Sequence, residues 1–343
     1  MTAKTASKLL AVRRNWKAEV SLHAKMENPA EPVVFYEVIP PRVDLKGELE
    51  DRLTLVREVA SQIDAINIPE IREEKRNGTR VTPVPHRIEP RAFAEAIAAT
   101  HVETVVNRVT VHESAAEQRE WLRQSYRQHG VRTLILVGGE SQQDQYPGPS
   151  VAQTASLAAE EGLPFLLGGI TIPHRPQEAS RVRQKAQHGL QFFTTQVLLD
   201  SKDIVPLLRE LDGLRARVLL SFTPVSHPRD LTFLEWLGVD VPAAFAREIR
   251  EASGPEEAVE RSLMLARRIL TDVFDNLPPH PPALGIQVER ITKRNSAAAR
   301  RMLAELGVVY RSLLRERYAN AAIGAGASAS HSRILQQPLP RKR

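Results

Sequence analysis

The sequence predicts an α/β protein: a (β/α)8 TIM barrel in a single domain with flexible basic tails. Three observations carry this. Eight short apolar runs rich in β-branched residues recur along the chain, each followed by a segment with helical spacing. No change of composition marks a second domain. The rival, a doubly wound open sheet, lacks its Gly-rich nucleotide fingerprint here, since no G-x-G-x-x-G follows a strand.

Taken in order, residues 33–42 (VVFYEVIPPR) form a buried strand stopped by two prolines, and 48–62 have helical spacing. AINIPE (65–70) is a short apolar run ended by Pro69, followed by the Ala-rich helix RAFAEAIAAT. TVVNRVTV (104–111) is β-branched, and the helix after it closes on Gly130. TLILVGGES (133–141) meets a glycine pair, and SVAQTASLAAEEG is helical to Gly162. PFLLGGIT (164–171) precedes a helix ending at Gly189. FFTTQVLLD (192–200) leads into SKDIVPLLRELDGL, helical despite Pro206. ARVLLSFTPV (216–225) is followed by one long helical stretch over about 231–276. ALGIQVERI (283–291) is the eighth strand, and SAAARRMLAELGVVY the last helix.

Composition narrows the class. A hydrophobic content of 42% in 343 residues supports a large core. The absence of Cys excludes disulfides, thiolate metal sites and a Cys nucleophile, and fits a cytoplasmic location. No apolar run approaches the roughly 20 residues of a membrane span, so no membrane partner is expected. The net charge of +6 would suggest a nucleic-acid partner, but the distribution argues against one. Residues 1–30 and 320–343 each carry +4, leaving the body at −2. The expected organisation is a basic N-terminal extension (1–30), the barrel (31–318) and a disordered basic C-terminal tail (319–343). The oligomeric state is left open, a homo-oligomer included.

In such barrels the active site lies at the C-terminal strand ends. The polar residues and glycines there are Glu37; Asn67 and Glu70; Asn107 and Arg108; Gly138, Gly139 and Glu140; Gly168, Gly169, Thr171 and His174; Thr194, Thr195 and Gln196; Ser221, Thr223 and Ser226; Gln287, Glu289 and Arg290. Glu37 sits among aromatic and aliphatic neighbours, where an ionised carboxylate is costly, so it either keeps its proton and suits a general acid or pairs with Arg108 or Arg42. Glu140 follows two glycines that let a flat or phosphorylated ligand approach, or it is solvated in a turn. Gln196 interrupts an apolar strand and either reads a heterocycle edge or is satisfied by nearby backbone. A glycosidase reading is disfavoured by an aromatic content of only 5%. No metal site is expected, because His101, His112, His174 and His188 lack ligand spacing.

Several of these segments resemble one family. FYEVIPPR is similar to the first-strand FEFFPP signature of the 5,10-methylenetetrahydrofolate reductases, GVRTLILVGGES to their fourth-strand GI…ALRGD, and GIQVERITKRN to the rhythm of their last strand. KAQHGLQFFTTQVLLD resembles most closely their sixth-strand K-x-x-x-G-A-x-F-x-x-T-Q-x-x-F-D. The order and spacing hold over about residues 33–312. The resemblance implies reduction of 5,10-methylenetetrahydrofolate to 5-methyltetrahydrofolate with NAD(P)H as hydride donor, through bound FAD, in one-carbon and methionine metabolism. It assigns Glu37 as the acid that opens the folate ring to a 5-iminium cation, and Glu140 as the carboxylate that hydrogen-bonds the pterin and stabilises that cation. Gln196 would contact pterin or nicotinamide. Arg108, Gly139, His174, Arg181 and Lys185 are the expected cofactor-binding positions.

The departures bear on the flavin. The family's VTYGA is INIPEIREE here, so Pro69 replaces a phosphate-binding threonine. Arg108 stands for a histidine, Gly138 for the arginine of RGD, Ile172 for an aromatic, and VERITK for FYTLNR. Two alternatives therefore accompany the flavin route: direct hydride transfer from NAD(P)H to the iminium, and a non-catalytic barrel that binds folate or flavin.

Overall fold

The computed structural model describes residues 21–73, 84–139, 145–292 and 294–334, with side chains to residue 319. Eight parallel strands close into a barrel in sequence order. They are β1 (Val34–Glu37), β2 (Ala65–Ile68), β3 (Glu103–Val109), β4 (Thr133–Val137), β5 (Leu166–Thr171), β6 (Phe192–Thr195), β7 (Arg217–Phe222) and β8 (Ala283–Val288). Each lies within, or one residue beyond, a run predicted from sequence. Closure brings β1 beside β8, with Val34, Phe35 and Tyr36 opposite Ile286, Gln287 and Val288. The predicted (β/α)8 barrel is thus the observed fold.

The helices are α1 (Leu22–Glu27), α2 (Glu48–Val59), α3 (Pro90–Ala98), α4 (Ala115–Arg127), α5 (Val151–Glu160), α6 (Glu178–Gln187), α7 (Ile204–Glu210), α8 (Pro228–Trp236), α9 (Ala243–Arg250), α10 (Pro255–Asp275) and α11 (Ser296–Ile334). The single stretch expected over 231–276 is three helices. Gly238 takes φ +82° after α8, Pro242 stands before α9, and Gly254-Pro255 opens α10. Proline lacks the N–H that would carry a helix through, and glycine accepts the left-handed turn that ends one. Pro206 is tolerated in α7 because it falls in the first turn, where N–H groups have no intrahelical partner.

Strand alternation sorts the core into two parts. Outward residues such as Tyr36, Ile66, Val106, Leu134, Leu220 and Ile286 pack against the helices. Inward residues Val33, Phe35, Ala65, Val105, Ile135, Leu166, Phe192 and Leu219 fill the barrel interior. Phe35 and Phe192 meet edge to face at 6.0 Å between ring centroids. Gly168 makes room for this filling, because a Cβ there would lie 2.4 Å from the Phe192 ring.

The floor is closed by α1, whose Leu22 and Met26 join the interior cluster. The fully buried Arg217 of β7 holds it there. Its guanidinium donates to the carbonyls of Lys25 (2.7 Å), Asn28 (2.6 Å), Glu31 (3.1 Å) and Leu284. A helix end leaves its last carbonyls without intrahelical donors, and a cation there also suits the helix dipole. Lys25 pairs with Asp64 at 2.6 Å, and Asp64 accepts the Val34 N–H at 2.8 Å. The described part of the basic N-terminal extension is therefore built into the barrel floor. At the other end α11 continues to Ile334, through much of the segment expected to be disordered from 319. No helix among the described residues is long and apolar enough to cross a membrane.

Candidate functional site at the barrel mouth

Above the apolar filling, the same inward faces turn polar. Period-two alternation carries Phe35 to Glu37, Ala65 to Asn67, Val105 to Asn107, Phe192 to Thr194 and Gln196, and Leu219 to Ser221. On β8 it carries Gly285 to Gln287 and Glu289.

Glu37 ends β1 and is half-buried. No hydrogen bond or ion pair reaches its carboxylate from the described residues; the salt bridges to Arg108 or Arg42 considered from sequence are not made. Desolvation in the mouth holds its pKa well above the usual carboxylate range, the nearby Glu289 raises it further, and Arg290 opposes both. Glu289 is raised as well, chiefly by desolvation, with the Gln287 amide counteracting. Gln287 Nε2 donates to Glu289 Oε1 at 2.9 Å, and Asn67 Nδ2 donates to Gln287 Oε1 at 3.3 Å. The Ser221 hydroxyl faces Glu289 without a well-formed hydrogen bond. The Oδ1 atoms of Asn67 and Asn107 are buried acceptors with no partner. Orphaned polar atoms cost free energy in a folded protein unless something binds them. The mouth therefore offers a carboxyl group whose protonated form is favoured, a second carboxylate, and amides able to read a polar heterocycle.

The other residues singled out from sequence are placed differently. Glu140 lies outside the described residues. Gln196 is at the β6 end, but its Nε2 donates to Leu237 O at 3.0 Å and its Oε1 accepts from Val197 N at 3.2 Å. Arg108 points outward, away from the mouth. It donates to Gln118 (3.0 Å), Glu70 (3.1 Å) and Glu113 (3.1 Å), and stacks 4.6 Å over Trp121. Lys185, on α6, donates to the Ile170 carbonyl at 2.8 Å, and burial lowers its pKa to about 8. Arg181 is half-buried on the same helix, and His174 is exposed in the β5–α6 loop. Gly139 is covered by the Tyr146 ring, which a Cβ would meet at 2.2 Å.

Sequence inspection placed Asn67, Ser221, Gln287 and Glu289 at strand ends without giving them roles. A signal existed: Gln287 and Glu289 share one strand face, and that face continues the interior. What was missing was the β1–β8 contact that sets Glu289 beside Glu37.

No protein-family model matches the chain. No curated protein matches it either. Among solved structures it is similar to an uncharacterized protein from Clostridium thermocellum that binds two copies of 5-methyl-5,6,7,8-tetrahydrofolic acid. The TM-score is 0.61 at 16% identity, covering 81% of this chain and 95% of that one, a likeness of fold.

Proposed function

We propose that the chain is an oxidoreductase that binds a reduced folate in the barrel mouth and reduces 5,10-methylenetetrahydrofolate to 5-methyltetrahydrofolate with NAD(P)H. The observation that carries this is Glu37, a desolvated carboxyl group whose surroundings favour its protonated form, at the place where the fold puts its chemistry. Its proton would go to N10 of the folate, the bond from N10 to the bridging carbon would break, and the resulting 5-iminium carbon would accept the hydride. The folate ligand of the similar Clostridium thermocellum barrel supports the substrate class. The orphaned amide oxygens of Asn67 and Asn107 suit the N–H-rich edge of a pterin.

The residues expected to hold FAD do not fit it as a set. Arg108 is committed to Glu70, Glu113 and Gln118, Lys185 to the Ile170 carbonyl, and Gly139 to the Tyr146 ring. We therefore favour direct transfer of hydride from NAD(P)H to the iminium carbon. The alternative of a folate-binding barrel without turnover draws on Gln196, whose amide is closed by backbone partners.

The test is NAD(P)H oxidation by purified protein with 5,10-methylenetetrahydrofolate, beside binding of 5-methyltetrahydrofolate by calorimetry. Colourless protein that turns over supports direct transfer, and a flavin spectrum supports the two-step route. Binding without turnover supports the accessory barrel. Glu37→Gln should cut turnover at least about 100-fold while folate binding persists; a fully active variant would overturn the assignment.

A further inference from the structure

Two carboxylates on one inward face define the mouth, and only one has a role so far. The β1–β8 register puts Phe35 opposite Gln287 and Tyr36 opposite Val288, so the next pair along is Glu37 and Glu289. Neighbouring strands run about 4.8 Å apart and like charges directly opposite repel. Two carboxylates this close in a desolvated mouth do not both ionise at neutral pH; they hold one proton between them.

Hydrogen bonding decides which one keeps it. Glu289 accepts from Gln287 Nε2 at 2.9 Å, and Gln287 is itself held by Asn67 at 3.3 Å. That support favours an ionised Glu289, whereas Glu37 receives no donor from the described residues. Among the surrounding charges Arg290 opposes this order, and desolvation and the Glu289 charge outweigh it at Glu37. Arg290, after β8, attracts negative charge on Glu37. Arg52 of α2 is paired with Glu48 at 2.8 Å, and Arg300 of α11 with Glu58. Tyr36, on β1, is buried and held neutral.

We infer that Glu289 is a positioning residue for Glu37, the pair sharing one proton that Glu289, oriented by Gln287 and Asn67, keeps on Glu37. The inference rests on the folate-reductase reading and assigns a residue that the family resemblance leaves without a role. Once the proton passes to N10, both carboxylates are ionised and face the cationic iminium, which they stabilise electrostatically. Solvent reprotonates Glu37 for the next turnover.

The test is Glu289→Gln, which keeps an acceptor for Gln287 and removes the charge. The plateau of kcat should fall, because one of the two carboxylates that stabilise the iminium is gone. The alkaline limb, set by loss of the Glu37 proton, should move down by about one pH unit. Gln287→Leu is the second variant. It withdraws support from ionised Glu289, so the plateau should fall and the limb should move up. Infrared titration of the carboxyl bands in substrate-free protein, assigned with Glu37→Gln, gives the same answer without turnover. A limb and a Glu37 titration that stay put in Glu289→Gln would overturn the inference. If wild-type protein does not reduce methylenetetrahydrofolate, the functional reading fails while the infrared titration still decides the proton sharing.

Discussion

Arg217 joins the N-terminal segment to the barrel, and replacing it with Met tests that joint. Methionine fills a similar volume but donates nothing. The carbonyls of Lys25 and Glu31 would lose the guanidinium that now satisfies them, while those of Asn28 and Leu284 keep the Glu31 N–H and the Tyr310 hydroxyl. A buried acceptor left without a donor costs about 1–3 kcal/mol. Relief from desolvating a fully buried cation offsets part of that total. A net loss of about 3 kcal/mol is the central expectation. A chain of this length unfolds with an entropy of about 0.7 kcal/mol/K, so Tm should fall by about 4 °C. Differential scanning calorimetry and urea titration read it. Removing residues 1–28, which charge and composition alone present as dispensable, should destabilise by a comparable amount. The two changes should be far from additive, because both break the same contacts. A Tm loss under about 1 °C in Arg217→Met, or strict additivity, would refute this account of the floor.

Other outcomes follow from the mouth and the interior. The native state favours a protonated Glu37, so its contribution to stability is fully present below the ordinary carboxylate pKa and is lost as pH rises through the raised folded value. Glu37→Gln does not titrate, so its Tm relative to wild type should climb from acid to mildly alkaline pH; a constant difference would show that the carboxyl is not perturbed. Asn67→Ala removes the donor to Gln287 and the unpartnered Oδ1, and should weaken 5-methyltetrahydrofolate binding about tenfold by calorimetry. Gly168→Ala drives a methyl into the Phe192 ring and should cost about 1–3 kcal/mol in urea unfolding, with folate affinity changed less than stability.

The sequence by itself determined the strands, most of the helices and the face each strand presents, because those depend on local periodicity and on glycine and proline. FYEVIPPR was enough to mark Glu37, since a carboxylate among aromatic and aliphatic residues is an anomaly within a few positions. The break of 231–276 into three helices was also written locally, in Gly238, Pro242 and Gly254-Pro255, though helical spacing obscured it. Tertiary structure alone decided which charges meet. Arg108, at a strand end by count, faces outward into the Glu70–Glu113 network. Gln196 is closed by a carbonyl from residue 237, and Lys185 by one from residue 170. Glu289 stands beside Glu37 only because the first and eighth strands of the barrel join. The +4 of residues 1–30 is likewise not all tail charge, since Lys25 is bound to Asp64 and its carbonyl to Arg217. Propensity and alternation act over a few residues, whereas ion pairing and proton sharing act through space. Barrel closure is the step that turns the second into something a one-dimensional pattern does not contain.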